Sequence, residues 1–268
     1  MKNFLKSQIK FSIFEITLAG LFVALNIISE KFINIKIPGL MSIGITYVWY
    51  IMMGLTMKPI LAIISYMISD VINTATSAYG FAGYMWEYPL MYIGLIIIVY
   101  LMKNIYKIQK DKNFLLMVTF VNIATFITTL VFLIVKSDFQ FIRKNIHSTD
   151  LTSQIAQILI WTFISLVFIS FIALMFLYLK KRNEKLKLTL FIFTIVSLVV
   201  VIFNWIFEPI VFIKMMGLRS GTSYNDLYTT YLTARIAKSP ILFILYPAII
   251  VPLFMVERKI NVNEKNKW

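Results

Sequence analysis

The 268-residue chain contains no cysteine and one histidine, His147. The first absence excludes a disulfide framework, a thiolate metal site and a cysteine nucleophile; the second leaves no histidine cluster to ligate a metal. Charge is scarce too. Only 14% of residues are Asp, Glu, Lys or Arg, against 60% hydrophobic and 16% aromatic, a balance that one soluble core of this length cannot hide. The 12 acidic residues are spread out. Asp70, Glu87 and Glu208 are far apart in sequence, and no E-x-x-H or D-x-x-D motif occurs. An integral membrane enzyme, such as an intramembrane protease or a lipid-modifying transferase, needs paired carboxylates or histidines on one face. The composition therefore points to a non-enzyme, with no cofactor or metal implied.

What is present is apolar sequence in long runs. A hydrocarbon core of about 30 Å is crossed by roughly 20 apolar helical residues, and eight segments qualify as candidates: 11–33, 43–57, 59–79, 84–103, 114–136, 154–180, 187–213 and 234–256. The expected fold class is all-α, a polytopic membrane helix bundle forming a single integral membrane domain. The first run is too long for a signal peptide and lacks the small-residue cleavage pattern, so it reads as a retained span. The net charge of +14 is explained by topology rather than by nucleic acid, because 17 of the 26 basic residues fall on one side. These are Lys2, Lys6, Lys10, Lys58, Lys103, Lys107, Lys110, Lys112, Lys180, Lys181, Arg182, Lys185, Lys187, Arg258, Lys259, Lys265 and Lys267. By the positive-inside rule both termini are cytoplasmic, and the lysines meet the lipid surface.

Glycine and proline are few, so their positions are informative. "GLTMKPI" (54–60) joins the second and third segments by a tight inner turn, with Pro59 suited to open a helix. Three outer segments are rich in polar, aromatic or turn-forming residues: "NIKIPGLMSIG" (34–44), "TATSAYGFAGYMWEYP" (74–89) and "GLRSGTSYNDLYTTYLTARIAKSP" (217–240). Such loops supply what a pocket for a small amphipathic molecule requires, rings for stacking and fixed polar groups for orientation. The residues available are Tyr79, Tyr84, Trp86, Glu87, Tyr88, Arg219, Tyr224, Asn225, Tyr228, Arg235 and Lys238. Aromatics also gather at membrane interfaces as belts; their clustering with Glu87, Arg235 and Lys238 favours the pocket. Arg235 and Lys238 suit a carboxylate or phosphate tail.

Charge inside a span is costly, about 2.5–3.5 kcal/mol on insertion scales. Asp70, eleven residues after Pro59, is expected about 16 Å along its helix, facing the bundle interior with Asn73 as a partner. It is either a helix-to-helix post or a ligand site. Glu208, before Pro209, is a kink or a pocket wall. Ala19, Gly20 and Ala24 form a small-residue patch, and the i, i+4 spacing of the last two lets another backbone approach closely. Lone His147 reads as a surface histidine.

In order, "TLAGLFVALNIISEKF", "IPGLMSIGITYVWYIMMGLTMKPI", "ISDVI" (68–72), "YGFAGYMWEYPLMYIGLI" (79–96) and "RIAKSPILFILYP" (235–247) resemble the S component of an energy-coupling factor transporter, closest to its folate-type branch. The resemblance covers about half of the chain. It implies a vitamin-binding membrane subunit that hydrolyses nothing itself and works with a transmembrane coupling subunit and two cytoplasmic ATPases. In that family small residues of the first span contact the coupling subunit; Gly20 and Ala24 stand there, with Gly in place of the more usual Ala. The substrate is bound toward the outside, near the loops named above, and the whole subunit topples to carry it inward. The family has six spans. Segments 1–4 and the last two match, so the region 114–186, with two spans, reads as an insertion between a core at 11–113 and a core at 187–268. A stand-alone secondary transporter is the competing class; it would use Asp70 as an ion site and show an internal repeat, which the sequence lacks.

Overall fold

A computed structural model describes residues 11–33, 35–37, 41–77, 80–108, 111–135, 150–215 and 222–265. Lys2, Lys6, Lys10, Tyr79, Lys110, His147, Arg219 and Lys267, singled out above, lie outside the described residues. The chain divides into two compact units, residues 1–109 with 248–268, and residues 110–247.

The first unit starts with α1 (Ile13–Phe32). Ser12 Oγ accepts from the Glu15 amide at 3.1 Å and the Glu15 carboxylate accepts from the Ser12 amide at 2.8 Å, a capping box that satisfies two end donors at once. Two short antiparallel strands follow, β1 (Ile35–Ile37) and β2 (Met41–Ile43), with Ile35 opposite Ile43. The segment after α1 thus contributes a short antiparallel strand pair. Next come α2 (Thr46–Thr56), α3 (Pro59–Ala75), a 3-10 turn (Gly80–Gly83) and α4 (Glu87–Ile108). Pro59 occupies the first helical turn of α3, where its missing N–H costs nothing.

Helix α2 is buried from Tyr47 through Leu55 without a break, as expected of a helix that is apolar all round. It packs against α1, α3 and α4. Gly54 sets the approach to α4: a Cβ there would lie 2.9 Å from both the Ile96 carbonyl oxygen and Val99 Cβ.

The second unit holds α5 (Asp111–Val135), α6 (Asp150–Lys181), α7 (Glu184–Leu198), a π-helical run (Val199–Phe207), α8 (Glu208–Met215) and the first part of α9 (Thr222–Lys265), whose residues from Ala248 belong to the first unit. Helix α7 is buried at Leu188 and from Leu190 to Ser197. Pro209 explains the π run. Its ring would collide with the Trp205 carbonyl in a regular helix, and the wider turn before it, in which the Glu208 amide bonds to the Phe203 carbonyl, removes that demand.

Among the described residues, six helical stretches are long and apolar enough to cross a membrane: Ile13–Phe32, Glu87–Lys107, Asp111–Val131, Trp161–Lys181, Glu184–Lys214 and Lys238–Glu257. The eight segments read from sequence are not matched one for one. Segments 43–57 and 59–79 fold into helices of 11 and 17 residues, about 16 and 25 Å at 1.5 Å per residue, short of a core of about 30 Å. The long helices leave Ile13, Phe32, Phe120, Phe176 and Ile244 more than half exposed. Apolar side chains in such numbers on outward faces fit contact with lipid rather than water.

Candidate functional site

The polar groups of the first unit gather where α1 and α3 end and α4 begins. On α3, Tyr66, Asp70 and Asn73 follow at i, i+4 and i+7 and therefore share one face. Asp70 accepts from Tyr66 through Oδ1 at 3.3 Å and from Tyr84 through Oδ2 at 3.0 Å. Both carboxylate oxygens are thus engaged by phenols. Since α3 ends at Ala75, Asp70 is five residues from the helix end, about 7.5 Å, rather than deep in a 21-residue span. That explains how Tyr84, from the 3-10 connection beyond, reaches it.

Asn73 does not bond to Asp70. Its Nδ2 donates to Glu30 Oε2 at 2.6 Å and to Asn26 Oδ1 at 3.2 Å, tying α3 to α1. Lys31 Nζ donates to the carbonyls of Asn73 at 3.3 Å and Thr76 at 3.1 Å, a cation on the carbonyl end of a helix where the dipole favours it. Trp49 Nε1 donates to Ser29 Oγ at 2.6 Å, and that hydroxyl donates back to the Leu25 carbonyl at 2.6 Å.

Beside these groups lies a set of tyrosine rings. Tyr50 and Tyr92 are 4.8 Å apart between centroids, Tyr50 and Tyr66 5.2 Å, Tyr47 and Tyr92 5.6 Å, and Tyr66 and Tyr92 5.8 Å. Tyr88 stacks on Tyr92 at 6.3 Å and 17°. Toward the loop, Tyr84 is 38% exposed and Trp86 62% exposed. Burial first, and then the Asp70 carboxylate, hold the Tyr84 phenol above its ordinary pKa, so at neutral pH it stays a donor. Glu87 stands in the first turn of α4, where a negative charge is favoured. The arrangement places carboxylate acceptors beside closely packed aromatic rings, group types that suit a planar ring carrying N–H donors.

Of the residues expected to form the pocket, Tyr84, Trp86, Glu87 and Tyr88 belong to this unit, and Tyr84 is joined to Asp70. Tyr224, Arg235 and Lys238 belong to α9 within the second unit. There Arg235 Nη1 pairs with Glu208 Oε2, which also accepts from Asn204 Nδ2 at 3.2 Å. Glu208 is accordingly an ion-pair partner across from α9, and Arg235, expected to grip a ligand tail, is engaged by it. Lys238 is buried. On α1, Ala19 is buried while Gly20 and Ala24 are exposed, and a Cβ on Gly20 would meet nothing within 4 Å.

Sequence reasoning passed over Asn26, Glu30, Tyr47, Tyr50, Tyr66 and Tyr92. A signal existed: Asn26 and Glu30 are i, i+4, as are Tyr66 and Asp70, and Tyr88 and Tyr92. Among the described residues no group of three or more His, Asp or Glu could hold a metal. Comparison with protein-family models, curated proteins and solved structures finds no match to this chain.

Proposed function

We propose that this protein is the substrate-binding membrane subunit of an ATP-driven importer of the energy-coupling factor type, capturing a vitamin such as folate or a related ring-bearing nutrient. The observation that carries the reading is Asp70 clamped by Tyr66 and Tyr84 at the edge of the tyrosine cluster, beneath the outer connection. A pterin-like ring presents adjacent N–H donors and a flat face, and Asp70 with Glu30 supplies acceptors for the former, the tyrosines for the latter. In this reading the protein sits in the cell membrane with both termini cytoplasmic, supported by the distribution of basic residues. The eight apolar segments comprise a six-helix core, of which 43–57 and 59–79 form the two short helices α2 and α3, and a two-span insertion. The exposed Gly20 and Ala24 receive the coupling subunit, which two cytoplasmic ATPases drive.

Uptake of radiolabelled folate into cells tests the reading. Expected is uptake only when coupling and ATPase subunits are co-expressed, persisting after collapse of the proton gradient while ATP is maintained. Gly20→Leu and Ala24→Leu are expected to spare ligand binding and weaken capture of the partner subunits. Uptake by this chain alone, abolished by collapsing the gradient, assigns it instead to secondary transport.

A further inference from the structure

A cleft of about 400 Å³, its open mouth included, lies within the second unit. It is formed by α5, α6, α7 and the π run, and its walls carry the rings of Phe126, Phe168, Phe171 and Trp205. Phe126 and Phe168 are stacked at 4.6 Å and 23°. Trp205 is held in place because its Nε1 donates to Ser239 Oγ at 2.8 Å. Among the described residues no charged side chain lines the cleft, so a charged occupant would sit there without a counter-charge.

Ser197 lines the same cleft, is 2% exposed, and its Oγ has no hydrogen-bond partner among the described residues. The neighbouring hydroxyls behave otherwise. Thr194 Oγ1 donates to the Leu190 carbonyl at 2.8 Å and accepts from Asn122 Nδ2 at 2.9 Å, and Thr129 Oγ1 donates to the Thr125 carbonyl at 2.8 Å. A serine in a buried helix usually bonds back in that way; a buried polar atom left over calls for a partner. Ser197 also stands thirteen residues after Glu184 in the apolar run Glu184–Lys214, about 20 Å along it, well away from the level of lipid headgroups. The wall beside it is the π run, a form of helix concentrated at functional sites.

We infer that this cleft is a second binding site, for a neutral, membrane-soluble molecule with a single aromatic or quinonoid ring whose hydroxyl or carbonyl meets Ser197 Oγ. The rings of the walls take the flat faces, and the hydroxyl supplies the one directional contact. The site is separate in chemistry and in residues from the carboxylate and tyrosine cluster of the first unit, and stands whether or not that cluster binds a vitamin.

Photolabelling of the full-length protein in phosphatidylcholine vesicles tests it, with a diazirine-bearing phenol in one arm and a phosphatidylcholine carrying the diazirine in its acyl chain in the other. Expected is saturable labelling by the phenol on the peptides of Phe126, Phe168 and Val201, competed by unlabelled phenol. Ser197→Ala, which removes one oxygen, should weaken that labelling about fivefold, and Val201→Trp should fill the cleft and abolish it. Phenol labelling spread evenly over the outward-facing Phe120, Leu166 and Ile169, an unchanged affinity in Ser197→Ala, or saturable cleft labelling by the phospholipid that is indifferent to Ser197, overturns the inference in favour of a groove filled by bulk lipid.

Discussion

Each unit of this protein wraps its helices around one member buried on nearly every side, α2 in the first and α7 with its π continuation in the second, yet the two treat interior polar groups in different ways. In the first, two carboxylates are present beside the tyrosine cluster, and both receive donors: Asp70 from Tyr66 and Tyr84, Glu30 from Asn73. The second unit also keeps a charged pair, Glu208 with Arg235, but outside the cleft, whose described lining holds only neutral polar groups, with Ser197 Oγ lacking a partner among the described residues. The difference follows from cost. A buried charge without partners is far more expensive than a buried hydroxyl without one, so carboxylates held inside need fixed donors, whereas a neutral cleft tolerates a single unmet hydroxyl. The carboxylates of the first unit are thereby fixed by donors, while the cleft of the second keeps one hydroxyl unmet.

Five variants sharpen or break this contrast. Gly54→Val forces a side chain into the 2.9 Å contacts with Ile96 and Val99 and is expected to cost about 3 kcal/mol of stability, read as a lowered thermal midpoint in detergent; an unchanged midpoint means α2 is not the first unit's hub. Asp70→Asn keeps the shape but turns an amide N–H₂ toward one of two phenol donors. Folate binding should fall about 100-fold, or roughly 2.7 kcal/mol, while phenol labelling of the second unit's cleft stays as it was. Asn73→Leu takes a donor from Glu30 and should cost about 2 kcal/mol. Asn122→Leu, breaking a neutral bond between α5 and α7, should cost about 0.6 kcal/mol. Equal losses in that pair would erase the distinction between the carboxylate cluster and the neutral cleft. Tyr84→Phe leaves Tyr66 on Asp70 and is expected to weaken folate binding about fivefold; because the Tyr84 phenol is held above its ordinary pKa, its ionisation should cause no loss of wild-type binding as pH rises from about 7 to 9.

Much of the helical layout was legible, because runs of apolar residues report membrane-length helices directly. Proline positions were legible as well: Pro59 opens α3 and Pro209 ends the π run. The lengths of α2 and α3 were not, since an apolar run cannot distinguish a spanning helix from a short one buried by its neighbours, and α2 is buried because of what α1, α3 and α4 bring to it. Asp70, Asn73 and Tyr84 stood out in sequence, the first two as polar residues in an apolar run. Their partners did not. Glu30 reads as part of an ordinary helix end, and the convergence of Tyr47, Tyr50, Tyr66 and Tyr92 depends on how three helices cross. The cleft at Ser197 left no trace in composition, as serine is common in membrane helices and only the absence of its usual backbone bond marks it.

The central claim, that the Asp70 and tyrosine cluster holds a ring-bearing nutrient, is tested most directly by native mass spectrometry of the protein purified in mild detergent, wild type beside Asp70→Asn. The account predicts a ring-bearing small molecule bound one to one in the wild type and absent from the variant. A wild-type protein that carries no such molecule and takes up none when folate, riboflavin or thiamine is added contradicts it.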